Sequence, residues 1–497
     1  MNRQLNRLAV VAVVLLTALI VATTYWQAWA AGDLKAKQDN AIQRVVQFTI
    51  ARGLIYGADG KTVFAANKKK KTGTNTLFFR RYPNKGLAAQ TIGYSTVSRS
   101  QTGLEESMND FLTGSNTNLS NAFHNLLNKL GRATIKGDNL QLTIRPKVQR
   151  LAQQLLGNRC GAVVAMSPRT GAVYVMASSP TYDPNEVDQP GGYARILHIR
   201  GACDGASALY DRATQGLFTP GSTFKIVTAA AALDTGAFTP NSGFTDPGYC
   251  TEYGQKVFNS GNPDQGGHEV FGHLNLLSGF QHSVNSVFCN IGMKLGAKTL
   301  VDYAKRFGFY SPPPLETPPD TINASGLYKN GKLWSPTSNS QIDSGRLAFG
   351  QYNMLATPLQ MALVGATIAN KGVVPKPYLL QKVVAADGST VTKTTPQTLG
   401  EAIKPQTAAE LNQMMQLVVQ GGTAASVGFP AGLKVAGKTG TAELGLGTVY
   451  DAWFVCFAPA DHPRYVVAAV VQKQPNGFGA SVAAPIAKAI LEKLLHR

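Results

Sequence analysis

Pro220-Gly221-Ser222-Thr223-Phe224-Lys225 runs directly into Ile226-Val227-Thr228-Ala229-Ala230-Ala231-Ala232-Leu233. The Pro-Gly pair breaks whatever precedes it, and the alanine-rich run that follows reads as a buried helix. Ser222 therefore falls at or near a helix N-terminus, where free backbone N–H groups and the helix dipole favour developing negative charge. Lys225, three residues on, shares its helix face. A serine hydroxyl is a poor nucleophile until its proton is removed, and a desolvated lysine of depressed pKa can remove it. An N-cap serine with a surface lysine is the plain alternative, weakened by the apolar helix around the pair.

Two further elements lie outward along the chain. Ser283-Val284-Asn285 sits in a stretch from Leu274 to Lys294 that reads as helix or helix–loop. A hydroxyl and an amide two residues apart can both face a cleft if the backbone is irregular, although this pattern is common in caps and turns. Lys438-Thr439-Gly440-Thr441 lies in a strand-like run from Leu433 to Glu443. A glycine inside a strand marks close approach of a ligand or another backbone, and flanking Lys and Thr side chains suit a carboxylate. A glycine-flanked bend is the plain reading of that run on its own.

The strand signals around these elements set the expected architecture. Gly161 to Met166 and Ala172 to Ala177 read as a hairpin across Ser167-Pro168-Arg169-Thr170-Gly171. Leu433 to Glu443, Ala452 to Phe457 and Tyr465 to Val471 follow one another through short turns, and a helix from about Ala483 to Leu495 closes the chain. Mostly helical segments separate the two groups. Strands from both ends can thus form one five-stranded antiparallel sheet packed against helices, an α+β layout.

S-x-x-K, S-x-N and K-T-G in that order form the signature of penicillin-recognising serine enzymes. On these residues the chain resembles class B penicillin-binding proteins, most closely the short actinobacterial penicillin-binding protein A group. Arg52-Gly53-x-Ile55 and Gly103-Leu104-Glu105 are similar to that family's non-catalytic pedestal. Arg212-Ala213-Thr214-Gln215-Gly216, Phe349-Gly350-Gln351 and Thr357-Pro358-Leu359-Gln360 are similar to its transpeptidase domain. The resemblance implies a β-lactamase/transpeptidase-like fold behind a small pedestal and one transmembrane helix. The expected division is 1–30 for the cytoplasmic tip and anchor, 31–157 for the pedestal and 158–497 for the transpeptidase domain. No glycosyltransferase region precedes the pedestal in this sequence, so a single activity is expected.

The resemblance also implies roles. Ser222 would be the nucleophile, Lys225 its base, Ser283 the proton relay and Asn285 the group holding Lys225 and the substrate amide. Lys438, Thr439, Gly440 and Thr441 would bind the terminal carboxylate, with the N–H groups of Ser222 and Thr441 as the oxyanion hole. The implied reaction is D,D-transpeptidation of peptidoglycan stem peptides, inhibited by β-lactams, with neither metal nor organic cofactor. Divisome or elongation proteins are the partners expected at the pedestal. The alternatives are a D,D-carboxypeptidase or β-lactamase, and a non-enzymatic scaffold or β-lactam sensor. Against a lactamase, Glu316 lies in the right region but in the wrong context for positioning a deacylating water.

The N-terminus bears on compartment. Arg3 and Arg7 precede an uncharged apolar stretch from Leu8 to Trp26, with Tyr25, Trp26 and Trp29 as interfacial aromatics. This reads as an uncleaved single-pass anchor in the cytoplasmic membrane, the rest lying outside, although Ala28-Trp29-Ala30 has the pattern of a cleavage site. A polar stalk over Asp33–Phe48, a hairpin about Ala58-Asp59-Gly60, a short helix over Phe123–Leu130, a strand over Leu140–Ile144 and a helix from Pro146 to about Leu156 follow. Net charge is +19, yet no nucleic-acid-binding motif is present. Lys68–Lys71 reads as a solvated loop or as a contact for acidic lipid or wall polymer. Five scattered cysteines in an oxidising space allow up to two disulfides, with buried residues and one bridge at most the simpler expectation. Cys289 reads as a buried helix-face residue, His268 and His273 as loop residues, and Arg346 as either cleft-lining or structurally paired.

Overall fold

The computed structural model describes residues 2–25, 48–73, 75–115, 136–203, 205–260, 269–336, 338, 342–445 and 447–496. The expected stalk over 33–48 and helix over 123–130 lie almost wholly or wholly outside these residues, as do Trp26, Trp29 and His268.

Apolar runs rich in valine, alanine and aromatics, together with the K-T-G run, produce the central sheet. Its strands are β1 (Gly161–Met166), β2 (Val173–Ser179), β3 (Ala436–Glu443), β4 (Val449–Ala458) and β5 (Tyr465–Pro475). The spatial order is β3-β4-β5-β1-β2 and every pairing is antiparallel, so the five-stranded α+β expectation holds. Residues Trp453–Ala458 of β4 are all fully buried. Successive strand residues point to opposite faces, so both faces of the sheet are covered. The helix Pro358–Ala369, apolar but for Gln360 and Thr367 and buried throughout, packs against β4 and β5. Gly365 permits that approach: a Cβ there would stand 2.8 Å from a Val455 methyl. The C-terminal helix Ala484–Leu495 packs on the same two strands.

The region between the two strand groups departs from expectation in being less helical. It contributes short hairpins, notably Gly243–Asp246 with Gly272–Asn275 and Tyr249–Glu252 with Gln255–Phe258. The expected stretch 274–294 is two helices, Leu276–Gln281 and Asn285–Arg306, split by a corner at Ser283.

In the N-terminal part, Ile55–Tyr56 pairs with Val63–Thr72, as the hairpin signal predicts. That second strand carries Lys68–Lys71, which pair with Phe79, Phe78, Leu77 and Thr76; the lysines are exposed but belong to a strand, not a loop. Cross-strand neighbours from Asn75–Arg81 supply the backbone partners that local composition does not reveal. The six-stranded pedestal sheet is completed by Leu380–Val384 and Thr390–Lys393, which arrive from far along the chain to pair beside Asn139–Leu142.

Residues Asn2–Thr24 form a helix whose described side chains from Val10 to Tyr25 are exposed. Among the described residues no helix is long and apolar enough to cross a membrane. The uncharged part of this helix, from residue 8 to 24, extends about 25 Å at 1.5 Å per residue, short of a hydrocarbon layer of about 30 Å.

The cysteines also depart from expectation. Two bridges form, Cys160–Cys203 and Cys250–Cys289, so Cys289 is cross-linked; Cys456 is free and buried. Partners some forty residues apart carry no local signature.

Candidate active site

Pro220 and Gly221 open a tight turn, Gly221–Phe224, that passes into the helix Lys225–Asp234. Gly221 has a φ of 51°, a left-handed conformation that glycine adopts without steric cost. The turn is locked from behind: the Gly221 N–H donates to the Gly350 carbonyl at 3.1 Å. A Cβ on Gly350 would lie 2.1 Å from the Gly221 carbonyl oxygen, which explains why Phe349-Gly350 accompanies this turn. Ser222 is half-buried, and among the described residues its hydroxyl has no hydrogen-bond partner.

Every residue of the helix Lys225–Asp234 is buried, and Lys225 itself is fully inaccessible. Its Nζ donates to the Ser283 carbonyl at 2.6 Å, the Asn285 Oδ1 at 2.7 Å and the Ser283 Oγ at 3.2 Å. Aromatic rings of Phe288 and Phe349 lie 5.2 and 5.8 Å from the same atom. Ser283 reaches this position from a left-handed backbone, φ 58°, at the corner between the two helices. A non-glycine residue there stores strain of roughly 1–3 kcal/mol, as residues at functional sites do.

Lys438 approaches the same serine from the sheet. It is fully buried, and its Nζ donates to the Ser283 Oγ at 2.8 Å and to the Thr439 carbonyl at 3.1 Å. Gly440 lets β3 press against the serine turn, since a Cβ there would stand 2.9 Å from both the Pro220 carbonyl oxygen and a Thr223 methyl. The Trp453 indole N–H fixes the other side of that turn by donating to the Thr219 carbonyl at 2.9 Å. Thr441 is half-buried and its Oγ1 accepts from the Gly479 N–H at 3.2 Å.

The electrostatics follow from burial. Lys225 titrates well below the usual lysine range, chiefly because burial desolvates its charge and secondarily because Lys438 is beside it. Burial lowers Lys438 to about 7. Each amine is thus prepared to exist in its neutral form near neutral pH. In its neutral form the Lys225 amine donates two hydrogen bonds, enough for the Ser283 carbonyl and the Asn285 Oδ1, and keeps a lone pair that can accept a proton, which is what a base requires.

The serine turn, the S-x-N corner and the K-T-G strand therefore converge. Sequence reasoning missed Thr423, whose Oγ1 lies 2.6 Å from the Thr439 Oγ1. The Gly421-Gly422 pair at the end of the helix Pro405–Gly421 was the available signal. Other singled-out residues lie elsewhere. Glu316 accepts from the Leu379 and Leu380 N–H groups at 2.8 and 3.2 Å, a structural use of its carboxylate. Arg346 pairs with Asp343. His273 is exposed and shares a hydrogen bond with Thr245. A cavity of about 480 Å³ lined by Glu316, Lys376, Tyr378 and Lys393 contains none of the converging residues.

Residues 161–492 match the penicillin binding protein transpeptidase domain, and residues 52–140 match the penicillin binding protein A dimerisation domain. The chain belongs to the penicillin-binding protein transpeptidase family. Along its whole length it is 32% identical to the peptidoglycan D,D-transpeptidase PbpA of Mycolicibacterium smegmatis, covering 99% of that protein. Among solved structures, penicillin-binding protein A from M. tuberculosis, as its ceftriaxone acyl-enzyme complex, superposes with a TM-score of 0.79 at 30% identity. That match covers 90% of this chain and 99% of the other. The D,D-transpeptidase domain of a peptidoglycan glycosyltransferase from Eggerthella lenta gives a TM-score of 0.74 at 32% identity, with the same two coverages.

Proposed function

We propose that this protein is a peptidoglycan D,D-transpeptidase acting through a Ser222 acyl-enzyme, and that β-lactams acylate the same serine. The observation that carries the reading is the buried Lys225, held by Ser283 and Asn285 while Lys438 grips the same Ser283 hydroxyl. Lys225 in its neutral form takes the Ser222 proton as Oγ attacks the carbonyl of the penultimate D-Ala. The oxyanion forms against the N–H groups of Ser222 and Thr441, each such donor contributing about 2.7–4 kcal/mol to the barrier reduction. Ser283 passes the proton to the departing D-Ala amine, leaving an ester on Ser222. The amine of a second stem peptide then attacks that ester. It loses a proton to the Lys225–Ser283 pair, which returns it to the Ser222 oxygen as the new amide forms. Lys438, Thr439 and Thr441, with Gly440 keeping the strand close, hold the terminal carboxylate, and Asn285 orients Lys225 and the substrate amide.

The domain division at about residues 30 and 157 belongs to the same proposal. So does the placing of the N-terminal helix in the cytoplasmic membrane with the catalytic part outside. The exposed apolar side chains from Val10 to Val21 support that placing. The pedestal serves partner proteins of wall synthesis and division.

The test is intact mass of the full chain after incubation with benzylpenicillin, beside Ser222→Ala. A stoichiometric, long-lived adduct on the parent alone is expected. Rapid drug turnover would move the reading to a β-lactamase, and absence of any adduct on folded protein to a scaffold.

A further inference from the structure

Asn285 can hold Lys225 only if the first turn of its helix is itself fixed, and the groups that fix it come from outside the three motifs. The Asp246 carboxylate is almost fully buried and accepts four hydrogen bonds. Its Oδ1 takes the Ser286 hydroxyl at 2.6 Å and the Gly248 N–H at 2.8 Å, and its Oδ2 takes the Asn259 amide at 2.8 Å and the Phe271 N–H at 2.9 Å. Asn259, buried as well, turns its Oδ1 to the Ser286 N–H at 2.9 Å. That N–H is one of those a helix leaves unsatisfied at its start. The preceding carbonyl, Phe258, accepts from the Asn285 Nδ2 at 3.1 Å. One helical turn further on, the Cys250–Cys289 bridge ties the Tyr249–Glu252 strand to the same helix.

We infer that Asp246 is a positioning residue for the acylation step. Through Ser286 and Asn259 it holds the start of the helix Asn285–Arg306, so that the Asn285 amide faces Lys225 on one side and Phe258 on the other. This inference rests on the role given above to Asn285. A carboxylate is the group suited to the place: four donors converge on it, and both its oxygens accept. An asparagine there would present an NH₂ group to two of those donors and leave them unpaired. Misplacement of a catalytic constellation by about 1 Å can cost on the order of 100-fold in rate.

The experiment is a double-mutant cycle on the second-order rate of acylation by benzylpenicillin, with Asp246→Asn, Asn285→Ala and the pair, followed across pH. Asn285→Ala should slow acylation by roughly 10- to 100-fold, and Asp246→Asn by about 10-fold. The double variant should be no slower than Asn285→Ala alone, because both changes act through one amide. The acidic limb of the pH profile should move to lower pH in both single variants, since losing the Asn285 Oδ1 acceptor disfavours protonated Lys225. Factors that multiply in the double variant, an unmoved pH limb, or Asp246→Asn acylating at the parental rate while Asn285→Ala is slow would overturn the positioning role alone. Parental acylation by Asn285→Ala would overturn it together with the active-site reading. If Asp246→Asn does not fold, Ser286→Ala removes one of the four bonds and is put through the same cycle, with the same outcomes deciding.

Discussion

Glu105 with its arginines, and Lys225 with Lys438, are two clusters of buried charged groups among the described residues, and they are built on opposite principles. In the pedestal, Glu105 is fully buried and accepts from Arg52 at 3.1 and 3.2 Å and from Arg80 at 2.7 Å, with the Tyr82 hydroxyl nearby at 3.4 Å. Burial lowers the Arg52 pKa while Glu105 opposes that, and a guanidinium remains charged regardless. In the transpeptidase part, Lys225 and Lys438 are equally inaccessible, have the same sign and meet on one serine hydroxyl, and neither forms an ion pair among the described residues. Opposite charges buried together settle into a fixed structure. Like charges buried together are relieved by losing a proton, and a lysine that sheds its proton is a base. The first arrangement serves folding, whereas the second, on the function proposed above, gives up stability for chemistry.

The largest expected effect separates the two by readout. Lys225→Met should lower the rate of Ser222 acylation by about 10²–10⁴-fold, the usual range for loss of a general base. Its unfolding midpoint should match or exceed the parent's, because an amine that is desolvated by burial and has no carboxylate partner is replaced by an apolar side chain of similar volume. Acylation kinetics and thermal melts on the same preparation check both halves, and a clear loss of stability would contradict the comparison. Glu105→Ala should do the reverse. Leaving Arg52 and Arg80 buried without their shared partner should cost about 3–5 kcal/mol, read by denaturant unfolding, while folded protein acylates at close to the parental rate.

The pH dependence sharpens the comparison further. The Lys438 pKa is about 7 when folded against 10.5 when unfolded. Between those values the unfolded chain binds more protons at this site, so this group's contribution to stability rises with pH across the window. Removing it relieves a penalty present at pH 7 and nearly gone at pH 10. Lys438→Met should therefore gain in unfolding midpoint relative to the parent at pH 7, and that gain should shrink toward pH 10. In the same variant Lys225 loses a neighbouring positive charge, so its pKa should rise and the acidic limb of acylation should move to higher pH. A limb that stays fixed would mean the two amines do not sense one another.

How much of this was legible beforehand depended on range along the chain. S-x-x-K, S-x-N and K-T-G are short spacings, and a glycine in K-T-G marks a close approach that the structure supplies in the Pro220 carbonyl. Short apolar runs rich in valine, alanine or aromatics carried four of the five sheet strands for the same reason, and the K-T-G run carried the fifth. What could not be read was long-range pairing. The strands Leu380–Val384 and Thr390–Lys393 complete a sheet begun more than two hundred residues earlier, with nothing local to say so. Asp246, Asn259 and Thr423 matter through partners on other elements, and an isolated Asp, Asn or Thr has no motif. The cysteine pairings were open for the same reason, and Lys68–Lys71 looked like loop because charge hid a strand whose partners lie beyond the next turn.

The smallest expected effect tests whether burial, not charge as such, divides the two clusters. Lys434 and Asp461 form an ion pair of 2.7 Å, as short as the Arg80–Glu105 contact, but both side chains are largely open to water. Solvent already satisfies each partner, and the hydrogen bond from Lys434 that holds the Asp461 pKa down is screened by the same solvent. Asp461→Asn should leave the unfolding midpoint in low and high salt, and the acylation rate, unchanged within error. A measurable loss of stability in low salt would show that pair geometry carries weight without burial, and the contrast between Glu105 and the two lysines would then have to be drawn on geometry instead.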